Sequence, residues 1–207
     1  MNGVVRRVQS FDEWRAAARE LIASGVPPAT VQWQSQAGEG DLFSSALEAH
    51  DATLASAPML RLPRQLVELL ESAACFNVHD RWAFLYHVLW RWQLGQHDVI
   101  SPADADGARL NAMVKAVRRE EHDMHAYVRF RERSEEQGAP RFVAWFEPTH
   151  EVLPQVARHF ARRMGATSWL IATPGASMLW DGETLHAGPA LLRGPADIND
   201  AGEALWL

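Results

Sequence analysis

SWLIATPGASMLWDGE, residues 168–183, decides the fold class. It holds two short runs, 168–174 and 177–183, separated by Pro174 and Gly175. Short apolar runs bounded by a proline–glycine pair predict two strands joined by a turn. Working back toward the N-terminus, residues 151–164 carry a helical pattern and RFVAWFEP, 141–148, alternates at period two. AYVRFRE, 126–132, alternates in the same way before a polar break at 135–140, so the two runs predict a hairpin.

The N-terminal half is mainly helical in pattern. Pro102 and Asp104 predict the start of a helix through MVKAVRREEHDMH, 113–125. Residues 79–94 predict another, with Trp82, Leu85, Tyr86, Leu89 and Trp92 at helical spacing as a core stripe. Pro63 opens a helix carrying Leu66, Leu69, Leu70 and Ala73. Ser10, with Glu13 three residues on, predicts the N-cap of a helix that Gly25 stops. VVRRV, 4–8, and TVQWQ, 30–34, flank that helix as strands. This order predicts an α+β fold, one domain over residues 1–207, with a mostly antiparallel sheet packed with about five helices. Residues 35–58 are small and polar, and a loop of that length is functional or mobile. The tail GPADINDAGEALWL, 194–207, begins like a linker and ends on apolar residues, as expected of the N-terminal part of a longer protein.

A chain of 207 residues with 47% hydrophobic content can bury a substantial core. Nine tryptophans must each be buried with the indole N–H satisfied or be exposed for a purpose, and most belong in the core. A formal charge of −6 argues against non-specific coating of nucleic acid or anionic membrane, so any DNA contact must be local. The single cysteine, Cys75, excludes an internal disulfide framework and any cysteine-built zinc or iron–sulfur site within this chain. No charged-then-apolar leader opens the sequence and no run of 18 apolar residues occurs, which predicts a cytoplasmic protein with no membrane span.

The chemistry-bearing residues concentrate in MVKAVRREEHDMHAYVRFRER, 113–133. On a helical wheel Leu110, Met113, Val114, Val117 and Met124 share an arc of about 100°. Lys115, Arg118, Arg119 and His122 fall together on the opposite side, a basic stripe that can lie along a phosphate backbone or stand as a solvated face balanced by Glu120 and Asp123. Glu121 falls inside the apolar arc, where a carboxylate needs an arginine or a tryptophan N–H as partner. Arg129, Arg131 and Arg133 alternate on the predicted strand. They either join Arg158, Arg162 and Arg163 in one positive patch or pair with Glu132, Glu135 and Glu136. Arginine beside Tyr127, Phe130 or a tryptophan also suits stacking on bases of single-stranded DNA.

Catalytic signals are weaker. His122 and His125 form an HxxH pair that can in principle share a metal with His150 or Glu151, but the glutamate of HExxH is missing and no metal is assigned. In FEPTHEVLP, 146–154, Thr149 is the expected helix cap and Glu147 with His150 a candidate acid–base pair. The catalytic candidates are therefore Glu121, His122, His125, Glu147 and His150. No phosphate-binding loop, dinucleotide fingerprint or nucleophile elbow occurs, and no cofactor is assigned to this chain.

Five blocks, HDRWAFLYHVLWRW, MVKAVRREEHDMHAYVRFR, FVAWFEPTHEVLPQVARHFARRM, SWLIATP and MLWDGETL, resemble in order a family of bacterial proteins labelled only as belonging to DNA metabolism. The resemblance implies a setting: members stand beside radical-SAM proteins, or are fused at their C-terminus to a domain of the uracil-DNA glycosylase superfamily that carries an iron–sulfur cluster. It implies no catalytic residues for this chain.

Three functions follow as expectations. The first is an accessory DNA-recognition domain in DNA repair, with Lys115, Arg118, Arg119, His122, Arg129, Arg131 and Arg133 as the nucleic-acid contacts and a glycosylase-type partner domain. The second is a docking module for a glycosylase or radical-SAM enzyme that does not touch DNA. The third is a nucleic-acid-modifying enzyme using the Glu/His candidates.

Overall fold

The computed structural model of the protein describes residues 3–35, 61–134, 136 and 138–190. The loop expected at 35–58 (apart from Ser35), the tail at 194–207, Trp206 and Glu135 lie outside the described residues. The fold is α+β, with five α-helices among the described residues. It falls into two compact units divided at Val114 and Lys115, within one helix.

The first unit opens with β1 (Val4–Arg7), α1 (Phe11–Ala23) and β2 (Val31–Gln34). β1 and β2 pair in parallel, with Val4 opposite Val31. Ser10 caps α1 as expected: its Oγ accepts the Glu13 N–H at 3.2 Å, and Glu13 reaches back to accept the Gln9 N–H at 2.8 Å. α2 (Arg64–Ala74) and α3 (Arg81–Gln93) bury Leu66, Leu70, Leu85, Tyr86 and Val88 against Trp14 of α1. Trp14 is 1% exposed and stacks on Phe11 and Trp82, donating its indole N–H to the Trp82 carbonyl. A tryptophan so enclosed contributes about 3–5 kcal/mol relative to alanine.

The long helix α4 (Ala105–Tyr127) starts in this unit. Asp104 caps it, accepting the Asp106 and Gly107 N–H groups at 2.9 and 3.0 Å on Oδ1. Arg91 grips the same carboxylate with two bonds of 2.9 Å, and these, with the cap bonds, pull its pKa down to about 2. Gly107 is buried in the first turn, and a Cβ there would collide with the Ser101 carbonyl.

The second unit contains the rest of α4, β3 (Arg131–Glu132), β4 (Phe142–Trp145), α5 (Leu153–Met164), β5 (Trp169–Ala172), β6 (Ser177–Trp180) and β7 (Leu185–Gly188). The strands form one sheet in chain order. β3–β4, β5–β6 and β6–β7 are antiparallel, but β4–β5 is parallel. The sheet is therefore mixed, because α5 carries the chain back to start β5 in the direction of β4. Val156, Ala157 and Phe160 of α5 are buried with Val143, Ala144, Trp169 and Ile171 of the sheet, and Phe160 packs edge-on against Trp169 and Phe130.

Two local expectations are corrected, and one strand is added. α4 continues through Ala126 and Tyr127, leaving a strand of two residues where 126–132 had predicted a full one. Val128, 7% exposed, extends the apolar stripe one turn past Met124, so the 3.6-residue period wins over the alternation. β7 had no sequence expectation, since Leu-His-Ala-Gly has little strand propensity. Its pairing is prepared by Asp181, whose Oδ1 accepts the Glu183 and Thr184 N–H groups and turns the chain. Finally, every described tryptophan is buried or half-buried, but the indole N–H groups of Trp33, Trp82 and Trp169 are buried without a partner among the described residues.

Candidate functional site

The C-terminal half of α4 carries the candidate residues. Val117 and Met124 are fully buried, which fixes the rotation of the helix and turns the opposite face outward. Lys115, Arg118, Arg119 and His122 are all exposed on that face. Arg119 approaches Asp123 at 4.0 Å, an exposed pair worth little. Among the described residues, Lys115, Arg118 and His122 make no hydrogen bond or ion pair. Glu120, expected to balance this face, is engaged elsewhere: its two oxygens accept the Thr149 and His150 backbone N–H groups at 2.6 Å each.

The arginines after the helix behave differently from expectation. Of Arg129, Arg131 and Arg133, only Arg131 lies in a strand, so the expected alternating strand is reduced to β3. Arg129 is exposed and folds back onto the helix end, donating to the Ala126 carbonyl at 2.8 Å and the Val128 carbonyl at 3.4 Å. Arg133 is half-buried and donates to the Pro140 carbonyl. Glu132 takes Arg141 instead, at 2.7 and 2.9 Å. On α5, Arg158, Arg162 and Arg163 are exposed and make no ion pair with a described residue.

Glu121 is half-buried, as its place in the apolar arc required, but it gains no arginine or tryptophan hydrogen bond among the described residues. Burial raises its pKa, and the nearby Arg118 charge only partly offsets that. His125 is also half-buried, its ring centroid 4.1 Å from that of His159 on α5. Its Nε2 has no partner among the described residues, and burial, then the His159 and His122 charges, depress its pKa. The HxxH spacing thus separates one exposed from one half-buried histidine, and among the described residues no group of three or more His, Cys, Asp or Glu can hold a metal ion.

The Glu147 carboxylate accepts the Trp145 indole N–H at 3.1 Å, and Thr149 does not cap α5, whose cap position is Val152 with no side-chain bond. Sequence reasoning missed the His125–His159 contact, because residues 34 apart carry no spacing signal. It also missed His186, whose Nε2 lies 2.6 Å from Asp181 Oδ2. That carboxylate, bonded by the Thr184 N–H, His186 and the Glu183 N–H, is lowered to about 2, and the pair closes the β6–β7 turn.

The charge balance also had a legible signal. Residues 36–60 hold four carboxylates and no lysine or arginine, and residues 191–207 hold three carboxylates and one arginine. Together these account for the whole formal −6. The remaining sequence is neutral, so the net acidity is no obstacle to a local anion site on α4.

Residues 79–207 match the model of a protein family described as a domain of unknown function, DUF4130, and the chain belongs to that family. All five sequence blocks quoted above fall within the matched residues. No curated protein matches the chain, and no solved structure does. No helix among the described residues is long and apolar enough to cross a membrane.

Proposed function

We propose that the chain is an accessory nucleic-acid-recognition module in DNA metabolism, acting with a glycosylase-type partner domain. The observation that carries this reading is the exposed face of α4, where Lys115, Arg118 and His122 stand without ion pairs among the described residues. The Lys115 and Arg118 cations, held on a rigid helix without ion pairs among the described residues, are suited to phosphate oxygens, and the exposed His122 ring can donate a hydrogen bond beside them. The family context implied by the five sequence blocks supplies the partner: a glycosylase must extrude its target base at a cost of a few kcal/mol, which backbone contacts from a neighbouring module help to meet.

Fluorescence anisotropy with labelled oligonucleotides at about 50 and 200 mM salt tests it. Phosphate contacts from Lys115, Arg118 and Arg119 predict a roughly 20- to 40-fold loss of affinity over that range, abolished in Arg118→Glu/Arg119→Glu. Absence of binding at low salt by the folded protein would sink the reading and leave docking to a protein partner as the account of this chain.

A further inference from the structure

Tyr127 is 63% exposed, the most exposed large hydrophobic side chain among the described residues. Its ring makes no hydrogen bond or ring contact with any of them. The backbone that carries it is nevertheless held on both sides. Val128 is buried and donates its N–H to the Met124 carbonyl, while the Arg129 guanidinium clasps the carbonyls of Ala126 and Val128. A large aromatic ring left in water on a fixed backbone offers a flat apolar face with little further ordering cost.

Position adds chemistry to that face. Lys115, Arg119, Asp123 and Tyr127 lie on one i, i+4 row of α4, about 6 Å apart and about 18 Å from end to end. Two cations and a ring therefore share one ridge, and Arg129 follows the ring by two residues in the chain. Asp123 intervenes, but its only ion pair among the described residues is the 4.0 Å approach to Arg119. A duplex hides its base faces inside the stack, so a ring on a convex helix gains nothing from it. An unpaired base presents its π-face, and aromatic residues next to cations are how sequence-tolerant single-strand sites are built.

We infer that α4 takes single-stranded nucleic acid, with Tyr127 as the stacking platform for one base and Lys115 and Arg119, on the same row, on the neighbouring phosphates. This rests on the nucleic-acid reading of α4 and deepens it by naming the strand state.

The test is anisotropy at about 50 mM salt with a labelled oligothymidylate and a duplex of the same length, using wild type, Tyr127→Ala, Tyr127→Phe and Arg118→Glu/Arg119→Glu. A second arm cross-links a 5-iododeoxyuridine oligonucleotide and maps the peptide by mass spectrometry. Wild type is expected to prefer the single strand and to cross-link at Tyr127. Tyr127→Ala should weaken single-strand binding roughly 5- to 150-fold and leave duplex binding unchanged, and Tyr127→Phe should retain affinity. If wild type binds both forms equally and Tyr127→Ala binds like wild type, the inference falls while the α4 reading stands. If wild type binds neither form, both fall together.

Discussion

Glu120 accepts the backbone N–H of His150 at 2.6 Å through one carboxylate oxygen and that of Thr149 at the same distance through the other. A side chain of α4 thereby holds the segment that leads into α5, which has no side-chain cap of its own. Glu120→Ala leaves two N–H groups without that acceptor and is expected to destabilise the protein by about 1–2 kcal/mol. Glu120→Gln keeps one acceptor oxygen and should lose roughly half as much. Urea midpoints of the two variants check the order, and equal losses would refute the two-bond account.

Glu121 is placed to lower stability at neutral pH. Burial raises its pKa in the folded chain above the unfolded value of about 4.3. The protonated form is thus favoured on folding, so its contribution is present at low pH and is lost as pH rises through the folded value. Glu121→Gln should raise stability at pH 7 by about 0.5 kcal/mol, a half-buried carboxylate being still partly hydrated, and change little at pH 4. Thermal melts at both pH values measure this, and destabilisation at pH 7 would mean that Glu121 has a partner.

His125 carries the opposite dependence. Its depressed pKa favours the neutral ring in the folded chain, against His159 from α5 and His122 on its own helix. The unfolded chain binds the proton more readily below about pH 6.5, so stability from this group is present above that value and declines as pH falls through it. Wild type should lose more stability between pH 7.5 and 5.5 than His125→Gln does. Parallel pH dependences in chemical denaturation would show that the histidine contact carries no linkage.

Gly107 offers a test of the start of α4. Helix propensity alone predicts that Gly107→Ala stabilises by up to about 1 kcal/mol. The Ser101 carbonyl occupies the space a Cβ would need, so the variant is expected to lose about 1–3 kcal/mol. A higher melting temperature for the alanine variant would show that the turn at Ser101 yields.

Sequence by itself determined the α+β class, the Ser10 and Asp104 caps and the cationic face of α4. These depend on local period and capping chemistry, which neighbours in the chain specify. The tertiary structure decided that α4 outlasts the alternating pattern at 126–132, because Val128 finds a buried place. It decided that β4 and β5 run parallel, a register set by the α5 crossover rather than by either strand. It also sent Glu120 to the Thr149 and His150 amides, brought His125 against His159, and left Tyr127 in solvent. Each of these is fixed by what lies across space from the residue, which no spacing along the chain encodes.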